Sequence, residues 1–167
     1  MKYFGKKSLS SFISGFLHVA WWVLLCGSIL VVLAGTVTLA TKEIREPIGN
    51  EISKEIVKMS EKERHDMQEF MRQPLAVKAL VVPYFALVIV LLLIIIRKAQ
   101  EVFTNFKNDI VFSKANVALI SKVAKWNIAF AIVTFNVTSL LTSLFLMMLC
   151  EILSKGAKLQ EEVDLTV

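Results

Sequence analysis

The chain has 167 residues, 56% of them hydrophobic, a mean hydropathy of +0.64 and a formal net charge of +5. That is too apolar for a water-soluble domain of this size and too long for a single membrane anchor, so composition and length exclude both. The two cysteines, Cys26 and Cys150, each lie in an apolar run with no histidine at ligand spacing, which argues against a disulfide or a metal site.

The head, Met1–Ser11, carries Lys2, Lys6 and Lys7 and no acid. A secretory signal has an apolar region of only about 7–15 residues. The run from Phe12 to Thr41 is about twice that, so it reads as a first transmembrane span over roughly 16–40 rather than a cleaved leader. Trp21 and Trp22 mark a membrane–water interface, with His18 beside them as an interfacial or packed side chain. Gly27 and Gly35, on nearly one face, offer a close approach to another helix.

Residues 41–73 change character. Ile44, Ile48, Ile52, Ile56 and Met59 recur at spacings of four or three, an apolar stripe on an otherwise charged helix. Ser60 followed by Glu63 predicts a capping box and a second short helix carrying Met67, Phe70 and Met71. This amphipathic extramembrane insertion reads as a solvated helical loop, or as a platform that lies on the membrane or binds a partner.

The stretch 75–96 is the clearest span: it has no charge from Ala79 to Ile96. About 20 apolar residues cross the hydrocarbon core as a helix, the one single-segment structure that satisfies its own backbone there. Pro83 predicts a kink within it. The connection 97–125 holds six basic residues against two acidic, a net of +4. Within it Asn108-Asp109 breaks the helix, Ser113 is placed to cap a new one starting at Lys114, and Phe112 precedes the cap as a hydrophobic staple.

The run 126–150 reads as a third span, opened by the interfacial Trp126. Asn136, Thr138, Ser139, Thr142 and Ser143 supply polar groups inside it that would bond to a neighbouring helix. Extending the region back to Ala115 to make two spans pulls Lys122 and Lys125 towards the bilayer, at roughly 2.5–3.5 kcal/mol per lysine at mid-depth. Three spans is therefore the expectation, with four, by way of a short hairpin near Asn136, as the alternative. The tail, 151–167, has a net charge of −2.

The fold class is thus all-α and polytopic, one membrane domain over 1–167. The positive-inside rule places the head and the 97–125 connection in the cytoplasm and the 41–73 insertion outside, the 41–78 connection being balanced at eight basic and eight acidic residues. Three spans would leave the acidic tail outside as well.

Two segments carry a resemblance. Asp109-Ile-Val-Phe-Ser-Lys-Ala-Asn116, followed by a basic helix, and the ending Glu151-Ile-Leu-Ser-Lys-Gly-Ala-Lys-Leu-Gln-Glu-Glu-Val-Asp-Leu-Thr-Val167 resemble a bacterial membrane family, domain of unknown function 2975, over about residues 75–167. That resemblance implies a small protein of the cytoplasmic membrane, typically with four helices and a cytoplasmic tail. It also implies a link to a small helix-turn-helix regulator encoded alongside. The long 41–73 insertion and the short region between Phe112 and the tail depart from the family pattern.

The expected function is a non-enzymatic membrane protein that binds or senses a partner, as a regulator of a neighbouring transcription factor or in peptide resistance or immunity. The alternative is a small transporter or an accessory subunit of a membrane transport complex. No His-Glu-x-x-His, Gly-x-Ser-x-Gly, intramembrane Asp pair or phosphate-binding glycine loop occurs in the sequence, so neither catalytic residues nor cofactors are expected. The residues singled out for partner contact or helix packing are Phe112, Ser113, Asn116, Asn136, Ser139, Thr142 and Ser143. The expected partners are the lipid bilayer, a protein and, as an open option, a second copy of the chain. The basic connection is read as a topology signal or a site for anionic lipid, not as a nucleic-acid surface.

Overall fold

A computed structural model describes the chain except for Met1, Lys2, Phe4, Lys7 and residues 165–167; at Arg45, Ser53 and residues 160–164 it describes the backbone alone. Every regular element among the described residues is a helix: α1 (Leu9–Ala40), α2 (Lys42–Ile56), α3 (Glu61–Arg72), α4 (Leu75–Ala79), α5 (Val81–Lys107), α6 (Lys114–Thr134) and α7 (Val137–Asp164). Four stretches are long and apolar enough to cross a membrane: Leu9–Ala40, Leu75–Lys107, Lys114–Thr134 and Val137–Leu159. The all-α polytopic class holds. Of the two counts, the alternative of four with a hairpin near Asn136 is the one found, because the continuous span expected over 126–150 is broken in the middle.

The break lies at Phe135–Asn136. Phe135 adopts the left-handed conformation (φ 51°, ψ 35°). Its amide and that of Asn136 turn back onto the carbonyls of Ile132 and Ala131, closing α6. The Asn136 side chain then accepts the Ser139 amide at 2.9 Å and starts α7. Read as a lone polar residue in an apolar run, Asn136 looks like helix–helix glue; here it caps a new helix.

The chain forms two compact units. The first comprises Met1–Leu25 and Val88–Val167. In it, α1 and α5 run antiparallel, joined by a ladder of polar contacts. Ser14 and Thr104 share a hydrogen bond of 2.9 Å, Gln100 Nε2 lies 3.1 Å from His18 Nδ1, and Trp21 Nε1 donates to the Leu93 carbonyl at 3.2 Å. The α6–α7 pair is an antiparallel hairpin whose buried Ala124 and Ala131 allow a close approach. Leu91, Val102 and Ile120 are the large buried apolar side chains of this unit, beside the buried polar Ser14, Asn116 and Ser143. Meanwhile Phe12, Phe16, Phe145, Met148 and Ile152 face outward. Polar groups inside and large apolar ones outside is the pattern expected where lipid replaces water as the solvent.

The second unit is Cys26–Leu87. Here Gly35 lets α1 approach Val82 of α5: a Cβ added at Gly35 would lie 3.4 Å from the valine methyl. Gly27, expected to do the same, faces open space. Ile56 is buried where α2 and α3 meet, and Gly49 lies against the Met71 methyl. Ser60 and Glu63 form the predicted capping box. Lys78 Nζ donates to the Met71 carbonyl at 2.7 Å and so caps the other end of α3. The predicted 75–96 helix divides at Leu80 into α4 and α5. Pro83 explains the site of division, since its ring excludes the hydrogen bond that Ala79 would accept one turn earlier.

Candidate functional site

The polar end of the first unit is the most elaborately built part of the molecule. There the α5–α6 joint, residues 108–113, meets the C-terminal part of α7. Asp109 ends α5 in a left-handed conformation (φ 60°), so Asn108-Asp109 is the break the sequence predicts. Ser113 caps α6 as expected, its Oγ accepting the Asn116 amide at 3.1 Å.

Asn116 is fully buried and clamps the joint. Its Nδ2 donates to the carbonyls of Ile110 (3.3 Å) and Val111 (3.1 Å), and its Oδ1 accepts from Asn105 Nδ2 at 3.2 Å. One amide thus fixes two consecutive loop carbonyls and the last turn of α5. Satisfied side-chain networks of this kind hold a single geometry, because each unmade bond in a dry site is costly. Phe112 lies against α7: a Cβ at Gly156 would stand 3.0 Å from its ring, so only glycine lets the ring lie there unshifted.

The clamp leaves Ile110 and Phe112 exposed, 46% and 50% respectively. They line a groove of about 710 Å³ together with Phe106, Asp109, Leu149 and Leu153. A smaller, wholly apolar cleft of about 210 Å³ lies where Val102, Phe106, Ile120 and Leu146 meet. Across the hairpin, Lys114, Ser121, Ser154 and Lys158 edge a third hollow of about 360 Å³. The apolar groove is thus held open by a braced loop with Asp109 as the charged residue of its lining, while the lysines edge the separate hollow across the hairpin.

The hydroxyls of α7 divide into two sets. Ser143 is fully buried and Asn127 Nδ2 donates both to its Oγ and to the Ser139 carbonyl, each at 2.9 Å. Ser139 and Ser143 thus join α6 to α7, as expected. Thr142 does not: it is exposed and its hydroxyl donates to the Thr138 carbonyl of its own helix at 2.8 Å. Asn127, the donor that makes the hairpin's polar contact, was not singled out from the sequence; the signal available was a lone amide directly after Trp126 in an apolar run. The α1–α5 ladder, Ser14 with Thr104 and His18 with Gln100, was also missed, because a serine in an apolar run carries no mark of its partner.

Outside the spans, the Glu63 carboxyl is held below its ordinary value by hydrogen bonds from the Ser60 hydroxyl and amide. No group of three metal-ligating side chains occurs among the described residues. Comparison with protein-family models, with curated proteins and with solved structures gives no match for this chain.

Proposed function

We propose that this chain is a non-enzymatic multi-span protein of a bacterial cytoplasmic membrane that binds a protein partner through the braced α5–α6 joint. The observation that supports this reading is the combination at one end of the bundle. A fully buried Asn116 fixes the loop, and the fixed loop displays Ile110 and Phe112 over an apolar groove. A loop that only connected two spans would not need such bracing. A fixed apolar surface suits the apolar face of an amphipathic segment.

The lysine-rich joint belongs in the cytoplasm by the positive-inside rule. The tail belongs there too, since α7 brings Gly156 back to Phe112. This replaces the outside location that three spans would have required. A cytoplasmic joint is also where a helix-turn-helix regulator of the kind implied by the resemblance would meet the protein. A transporter reading has less support, because the Ser139, Thr142 and Ser143 hydrogen-bonding groups are already used within the α6–α7 hairpin.

The test is co-purification from detergent-solubilised membranes with the neighbouring regulator co-expressed. Ile110→Asp places a charge in the groove and leaves the clamp intact, and is expected to reduce retention of the regulator at least tenfold. Equal retention by the wild type and Ile110→Asp would remove the groove as the binding surface.

A further inference from the structure

We infer that the α6–α7 hairpin is a re-entrant wedge: it enters the bilayer from the lysine-rich side and turns back inside the hydrocarbon, its tip covered by lipid chains. The inference deepens the membrane reading above and rests on it. Length is the first observation. Between Lys125 and the turn, α6 has nine uncharged residues, Trp126–Thr134, a rise of about 14 Å. On the other leg, Val137–Cys150 is charge-free over about 21 Å. The hydrocarbon core is about 30 Å thick. Both legs fall short of it, α6 by about half; the uncharged run before Arg97 rises about 27 Å and the whole of α1 about 48 Å. Were α6 to cross completely, the exposed Lys122 and Lys125 would face lipid near mid-depth.

The level at which charge begins is the second observation. Asn105 of α5 pairs with Asn116 of α6, and Val102 and Ala99 then share one cleft with Ile120 and Val123, so the two helices run antiparallel. Counting about nine residues along each from that pair brings Lys125 level with the Ile96–Arg97 step. Arg97 there lies over the Trp21 ring, 5.8 Å from its centroid, and Trp126 follows Lys125. Tryptophan and arginine at one height mark an interface on three helices together. The hairpin tip lies only about 14 Å beyond that height.

The third observation is the turn itself. Irregular backbone is tolerated in hydrocarbon only when its polar groups are met internally. The amides of Phe135, Asn136, Ser139 and Leu140 are all bonded within the turn. Those of Val137 and Thr138 are not, two against the four that a bare helix start exposes. Around this backbone the large side chains are apolar and outward, Phe135 92% exposed and Val137 68% with Ile132 and Leu141 flanking them, and the polar side chains exposed beside them are Asn136, which caps α7, and Thr138. A turn destined for water has no use for that surface.

The test is made on the full chain in cells, with Cys26 and Cys150 replaced by alanine and single cysteines introduced. Glu61→Cys reports the 41–73 side, Asn108→Cys the lysine-rich side, and Phe135→Cys and Val137→Cys the tip. A membrane-impermeant maleimide is applied to sealed cells and to inverted vesicles. The tip cysteines are expected to react at least tenfold more slowly than the reference cysteine on either side, and fully once SDS is added. A bimane label at Phe135→Cys is expected to be quenched most by lipids brominated near mid-chain. Reaction of the tip from the Glu61 side at the reference rate means a full crossing, and reaction at the reference rate from the Asn108 side means a hairpin in water; either overturns the wedge. So does a tip that is silent to maleimide but unquenched by every brominated lipid, which places it against protein. If Asn108→Cys reacts from outside, the orientation in the functional reading fails while a silent, quenched tip keeps the wedge.

Discussion

The α6–α7 hairpin and the α2–α3 pair are both two-helix units, and they solve opposite problems. In the hairpin, the polar atoms turn inward: Asn127 bridges Ser139 and Ser143, and the outer faces are left to Phe145, Met148 and Ile152. In α2–α3, polar atoms turn outward. Lys54 with Glu51 and Lys58 with Glu55 pair at 2.7 Å on an open surface, and Ile56 is the buried apolar side chain of the contact. One unit is held by a few desolvated hydrogen bonds and close alanine packing, the other by caps and screened charges. The difference teaches where sensitivity to mutation should lie. Bonds made away from water carry large penalties when broken, and exposed ion pairs carry almost none.

The largest effect is expected at the joint that anchors the hairpin. Asn116→Leu takes the buried partner from two loop carbonyls and the Asn105 amide at a part-buried joint and should destabilise the bundle by about 2 kcal/mol. Thermal unfolding in detergent should show a markedly lower Tm, and an unchanged Tm would mean that the clamp is ornamental. Asn127→Ala should cost about 1 kcal/mol, the usual scale for a polar contact between membrane helices, read in the same assay.

On the other side of the comparison, Ser60→Ala removes the cap of α3 and should weaken that helix by about 1 kcal/mol locally. Hydrogen exchange should quicken across Glu61–Arg72 while α6 and α7 stay protected. A smaller effect follows from pH. Glu63 is held below its ordinary value near 4.5 by Ser60, so its contribution is complete above that value and is lost as the pH falls through the lowered one. Amide exchange in α3 should therefore accelerate in acid, and Glu63→Gln should remove that dependence. Lys54→Ala, last, should change stability by at most a few tenths of a kcal/mol. A loss above 1 kcal/mol there would collapse the distinction between the two units.

Much of the architecture is legible in the residues. The uncharged runs announce the membrane helices, Ser60 with Glu63 announces α3, Asn108-Asp109 ends α5 and Ser113 starts α6. Two things are not legible. The turn at Phe135 has neither glycine nor proline to signal it, and a phenylalanine in the left-handed region is rare, so a hairpin near Asn136 stands in the sequence only as an alternative. The partners of Asn116 and Asn127 are not visible either. Which carbonyl an amide meets is set by how helices dock, and hydrophobic periodicity gives the docking face without its register. The Thr142 hydroxyl shows the same gap in reverse, since its position among polar neighbours does not reveal that it bonds to its own helix.

The approach of Phe112 to Gly156 also sets an order of events during synthesis. The joint leaves the ribosome long before the glycine that lets the ring settle. Until α7 has been made, Phe112 has no seat and the lysine-bearing end is only half assembled. Translation must therefore pass Gly156, 44 residues beyond Phe112, before this contact can close.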